Sequence, residues 1–209
     1  MIAAVGRVPM GELVEALKLM ASNSNSSHDH EFRDGRSDFL HDCGWGSVHA
    51  EKGRLIGNRS ARSCLDDGGF NALAGLETDL TLLHARRTPD RETIATENSH
   101  PFLAASWGET WAFCHNGATD DLSGLSSAPD LRPRGSTDSE RLFHHVLARL
   151  DPSDRRRSLG VILGGLRGFT CLNSFLATAG RVTVYARAGL GTARPRYYTL
   201  WHGTGEGLA

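Results

Sequence analysis

The chain has 209 residues, enough for a well-covered core, with 39% hydrophobic residues and 24 glycines. Its formal net charge of -1 supplies no electrostatic pull toward nucleic acid or an anionic membrane. No apolar run reaches the ~20 residues that span a bilayer, and Arg7, Glu12, Glu15 and Lys18 interrupt any signal-peptide core, so a cytoplasmic protein of one domain over residues 1–209 is expected.

Residues 2–6 are short and apolar and suit a buried first strand. Pro9 can open a helix in which Leu13, Val14, Leu17 and Met20 recur at helical spacing. Residues 22–38 are rich in Ser, Asn, His, Asp and Arg without an apolar period, the signature of a mobile loop. His28, Asp29, His30 and His41 there are metal-ligand types without an established ligand spacing, so a polar loop, with no metal or cofactor, is the expectation. Residues 44–50 and 54–59 predict a strand pair about Glu51-Lys-Gly, and 76–84 a further strand. Residues 110–115 predict a strand with Trp111, Phe113 and His115 on one face and Ala112 and Cys114 on the other.

Thr137-Asp-Ser-Glu140 has the form of a capping box, and the helix after it places Leu142, Phe143, Val146, Leu147 and Leu150 on one stripe. A second helix is predicted over 153–166, weakened by Gly160, Gly164 and Gly165. Residues 171–178 and 181–187 predict a hairpin about Ala179-Gly180, and 197–201 a last strand. This pattern by itself supports an α+β class. Cys43, Cys64, Cys114 and Cys171 form no Cys-x-x-Cys pair and read as core thiols of a reducing compartment, not as a disulfide framework or zinc site.

Four motifs stand in a fixed order: His84-Ala-Arg-Arg, Glu97-Asn-Ser-His-Pro-Phe, Phe113-Cys-His-Asn-Gly and Gly135-Ser-Thr-Asp-Ser-Glu. With Asp42-Cys-Gly-Trp-Gly and Asn173-Ser-Phe-Leu-Ala-Thr, they resemble the glutaminase domain of class II glutamine amidotransferases, the N-terminal-nucleophile hydrolases, in its small stand-alone form. The resemblance covers about residues 1–187. It implies a four-layer αββα sandwich and a pocket for glutamine or a γ-glutamyl compound. Within it, Asn116 and Gly117 match the oxyanion pair. Arg86 matches the arginine that grips the α-carboxylate, and a guanidinium suits that task because it pairs with a carboxylate bidentately. Asp138 matches the carboxylate that holds the ammonium, and His100 a wall of the pocket. Each also has a plainer reading: Asn-Gly as a hairpin turn, Arg86 as a surface arginine, Asp138 as a helix N-terminal carboxylate, and His100 as a structural histidine.

The chain departs from the family at one decisive place. The family's nucleophile is a cysteine after the initiator Met, freed so that its own α-amine serves as base. Here that position is Ile2, which has no nucleophilic atom and whose bulk disfavours Met1 removal. The family's threonine three residues beyond the arginine is replaced by Pro89, with Thr88 one place earlier. Two readings follow: a binding or partner protein inactive as a glutaminase, or an amidohydrolase working through an atypical nucleophile, with Cys43 and Cys114 as candidates. No synthetase or isomerase domain follows, so an ammonia acceptor is expected in a separate subunit.

Overall fold

In a computed structural model, residues 1–24, 40–127, 130–189 and 198–204 are described; most of the loop expected at 22–38, with His28, Asp29 and His30, lies outside them. Two four-stranded antiparallel sheets carry the fold. The first has the order β1-β4-β2-β3, from β1 (Ile2–Val5), β2 (Trp45–Glu51), β3 (Arg54–Ser60) and β4 (Leu80–Ala85). The second has the order β5-β6-β7-β8, from β5 (Phe102–Ser106), β6 (Glu109–Asn116), β7 (Asn173–Thr178) and β8 (Arg181–Tyr185). Helices α1 (Met10–Ala21) and α2 (Gly68–Asn71) cover the first sheet, and α3 (Asp138–Arg149) and α4 (Arg155–Gly164) cover the second. The αββα order of layers expected from the resemblance is the observed one.

Strand alternation builds three cores from these layers. On β4, Leu83 and Ala85 face α1 with Leu13, Val14 and Leu17, while Leu80 and Leu82 face the opposite sheet. On β6, Trp111 and Phe113 pack under α3 with Leu142, Phe143 and Val146, while Ala112 and Cys114 fill the space between the sheets with Val48, Leu55 and Phe175. Each sheet is therefore apolar on both faces, which a middle layer must be.

Local chemistry pins the helices. Thr137 accepts a hydrogen bond from the Glu140 backbone at 3.2 Å, the expected first half of a capping box. The second half differs: the Glu140 carboxylate reaches past the cap and accepts from the Arg134 and Gly135 backbones at 3.0 and 2.7 Å. Asp67 caps α2 through Gly69 and also accepts from the Trp45 indole at 2.9 Å, tying that short helix to β2.

Three expectations need correction. Strand β4 begins at Leu80, because 76–79 forms the approach from the 3-10 turn Ala72–Gly75. Residues 198–201 form no strand, and Tyr197 lies outside the described residues. Strand β5 went unanticipated, since its turn to β6 runs through Trp107 and Gly108 at φ of 49° and 74°, and an aromatic residue there is not a turn signal. Among the described residues no helix is long and apolar enough to cross a membrane.

Phe143 is fully buried and stacks on Phe113 with ring centroids 5.4 Å apart. Phe143→Ala is expected to lower the stability of the fold by about 3–5 kcal/mol, read from urea unfolding.

Candidate functional site

Four chain segments meet at the end of the inter-sheet layer. Strand β6 runs through Asn116, so Asn116 falls on the same face as Cys114 and projects between the sheets. His84 has the same parity as Leu80 and Leu82 on β4 and projects into the same space. The two meet: His84 Nε2 lies 3.2 Å from Asn116 Oδ1. With Nε2–H donating to that oxygen, the Asn116 amide turns its Nδ2 end, with two N–H donors, away from His84. His100 stacks on His84 with centroids 4.3 Å apart and meets Phe102 edge-on. Its close seat needs Gly46, where a Cβ would stand 2.1 Å from the His100 carbonyl oxygen.

Arg86 follows β4 and is held by its backbone, which donates to Gly44 and accepts from Cys43 at 2.8 and 3.0 Å. Arg86 is buried, at 7% exposure; its Nη2 donates to Thr93 Oγ1 at 3.0 Å and Nη1 has no partner. Thr93 was not anticipated. It lies seven residues beyond the arginine, where no spacing rule points to it, and Thr88 Oγ1 sits 3.3 Å from its hydroxyl. Asp138, first residue of α3, accepts the Thr119 N–H at 2.7 Å and exerts an attraction on Arg86 without a direct ion pair among the described residues.

Gly117 has φ of +132°, and a Cβ there would lie 1.9 Å from the Cys171 carbonyl oxygen, so only glycine fits. His115, on the opposite face of β6 from Asn116, sits 3.0 Å from both Ser139 Oγ and the Cys171 carbonyl oxygen. The fold thus brings Arg86, His100, Asn116, Gly117 and Asp138 to one end of the sandwich. The amino group of Met1 is buried within electrostatic reach of Cys114, His84 and His100. The Ile2 side chain turns the other way and packs in the core beneath α1, beside its strand partner Leu83.

Eight buried side-chain nitrogen or oxygen atoms among the described residues lack a hydrogen-bond partner, and five belong to His84, Arg86, Thr119 and His100, the last at both ring nitrogens. Such orphans are rare in folded proteins, and these five lie together around Arg86 and His100. Burial pushes His84 and His100 well below the ordinary imidazole range and lowers His115 as well, so all three are neutral at neutral pH. The candidate thiols are protonated too. Burial pushes Cys114 up to about 12, and it raises Cys43, which is buried at 1% exposure.

The family described as Glutamine amidotransferases class-II matches residues 30–182. The chain is 39% identical over 64 residues to the protein named "Putative glutamine amidotransferase YafJ" of Escherichia coli (strain K12), a match covering 31% of this chain and 25% of that protein. It is 37% identical over 78 residues to the protein named "Putative glutamine amidotransferase" of Haemophilus influenzae, covering 36% of this chain and again 25% of the relative. The matched segments thus span a quarter of these relatives' length. In fold it is similar to the glutamine phosphoribosylpyrophosphate amidotransferase from B. subtilis, with a TM-score of 0.60 at 16% identity over 88% of this chain and 36% of that one.

Histidines buried in the neutral form make stability depend on pH. The unfolded chain takes up protons below its imidazole pKa of ~6.5 while the folded chain resists them, so stability is retained above that value and lost as pH falls through it. The urea midpoint is expected to drop between about pH 7 and about pH 5, and His100→Phe to flatten that drop.

Proposed function

The chain belongs to the class II glutamine amidotransferases, and from that premise we propose that it binds glutamine or a γ-glutamyl compound without acting as a glutaminase. The observation that carries the binding half is the cluster of orphaned polar atoms around Arg86 and Asp138. A guanidinium nitrogen buried without a partner costs roughly 1–3 kcal/mol or more, a cost that a ligand carboxylate on Arg86 Nη1 removes. Asp138 offers the opposite charge for an ammonium, and the pair together suits the zwitterionic head of an amino acid. The Asn116 Nδ2 donors and the Gly117 N–H are then the groups for the side-chain amide oxygen, with His100 as wall.

The inactive half rests on Ile2. An oxyanion pair stabilises charge only after something has attacked the amide, and the ~8 kcal/mol or more that separates an enzyme from background needs that attacking group. Ile2 supplies no such atom, and its side chain lies in the core beneath α1. Cys43 and Cys114 offer no substitute, because burial holds both thiols protonated and the thiolate is the nucleophile. The protein then serves as a ligand-binding or partner subunit.

Calorimetric titration with L-glutamine, L-glutamate and a γ-glutamyl dipeptide is expected to show weak binding to the wild type. Arg86→Ala and Asp138→Ala should each weaken it by about tenfold or more, the worth of a charge-assisted hydrogen bond. Absence of heat with all three compounds, or equal binding in all three proteins, removes the pocket. Ammonia release from glutamine is expected at background level; release that survives Cys43→Ala and Cys114→Ala would overturn the inactive reading.

A further inference from the structure

We infer that His115 and Ser139 are a proton-sensitive positioning pair for Asp138: with His115 neutral the Ser139 hydroxyl is committed to the imidazole and Asp138 is open to a ligand cation, and with His115 protonated the hydroxyl turns onto Asp138. The inference rests on the proposed role of Asp138 as the ammonium-binding carboxylate.

The chain of contacts is short and each link has one polarity. A backbone carbonyl can only accept, so the 3.0 Å contact between His115 Nε2 and the Cys171 oxygen puts the ring proton on Nε2. Nδ1 of the neutral ring is then a bare acceptor, 3.0 Å from Ser139 Oγ. That oxygen is also 3.3 Å from Asp138 Oδ1. A hydroxyl carries one proton, so Ser139 can donate to His115 or to Asp138 but not to both. The shorter contact and the bare nitrogen decide for His115. Asp138 Oδ2 already accepts the Thr119 N–H at 2.7 Å, so Oδ1 is the less engaged oxygen for an ammonium.

Protonation reverses the order. A proton from solvent on Nδ1 makes His115 a donor on both sides. Ser139 Oγ accepts from it and passes its own hydrogen bond to Asp138 Oδ1; no other proton moves. The incoming ammonium then competes with a hydroxyl for the same oxygen. The charged or titratable groups within reach of His115 or Asp138 are His100 ahead of β5, Arg86 after β4 and the Asp138 carboxylate on α3, with the Cys171 carbonyl ahead of β7. Burial lowers the His115 pKa and Asp138 opposes that, so the exchange lies below the ordinary imidazole value. Gly117 is part of the device, because any side chain there would push the Cys171 carbonyl out of its place.

The test follows two readouts on the full chain. L-Glutamine affinity should weaken by roughly tenfold between about pH 7.5 and about pH 5.5 in the wild type. In Ser139→Ala, which keeps His115 but has no proton to pass, that change should shrink to less than about threefold, and Ser139→Thr should restore it. Independently of any ligand, isotope-labelled protein should show the Asp138 carboxyl resonance moving with the His115 ring nitrogens in the wild type and not in Ser139→Ala. An unchanged pH dependence in Ser139→Ala, or an Asp138 resonance that ignores His115 in the wild type, overturns the inference. Should Ser139→Ala not fold, Ser139→Cys, a weak donor, takes its place. If glutamine binds at no pH, the glutamine reading fails, and the coupled resonances still decide the pair.

Discussion

Consecutive side chains leave a β-strand on opposite faces, and at the end of β6 that rule divides the site into two parts. His115 leaves toward α3 and is caught by Ser139 and the Cys171 carbonyl. Asn116 leaves toward the opposing sheet and is caught by His84. Gly117 then turns at positive φ so closely over Cys171 that no Cβ fits. Both sides of the site are thus set by the last two residues of one strand and the glycine that follows them. A slip of one residue in the β6–β7 register, which pairs Asn116 with Asn173, would exchange the two faces and dismantle both halves at once.

Burial gives this arrangement its electrostatic character. A desolvated imidazole prefers to be neutral and a desolvated thiol prefers to stay protonated, and the site contains both kinds of group. Arg86 keeps its charge because the guanidinium is intrinsically so basic, even though burial lowers its pKa. The site is therefore a neutral histidine wall around one fixed cation and one carboxylate.

Much of this was legible in the residues. The period-two pattern of Thr110 to His115 set the faces of β6, and Thr137-Asp-Ser-Glu announced the start of α3. The apolar stripe from Leu142 to Leu150 named the core it buries. Other parts were hidden for physical reasons. Strand β5 has no alternation, and its turn uses Trp107 where a glycine or asparagine signal would be looked for. Thr93 reaches Arg86 through a folded-back segment whose geometry no fixed spacing encodes. The Glu140 carboxylate binds upstream of its own cap, which a capping-box pattern does not predict. The direction of the Ile2 side chain depends on the register of β1 against β4, a long-range fact.

The loop contacts around Asn98 carry a mechanical consequence. Asn98 Nδ2 donates to the carbonyl of Thr93, the residue whose hydroxyl receives Arg86, and also to the hydroxyl of Ser136, while its Oδ1 accepts the Ser136 N–H at 2.8 Å. Two residues later the chain reaches Asp138. Guanidinium and carboxylate are thus joined by a strut of side-chain and loop hydrogen bonds that bypasses the packing between the sheets. The gap between the two charges is gauged by this strut, as the jaws of a caliper are set by its beam, and not by the packing of one sheet on the other.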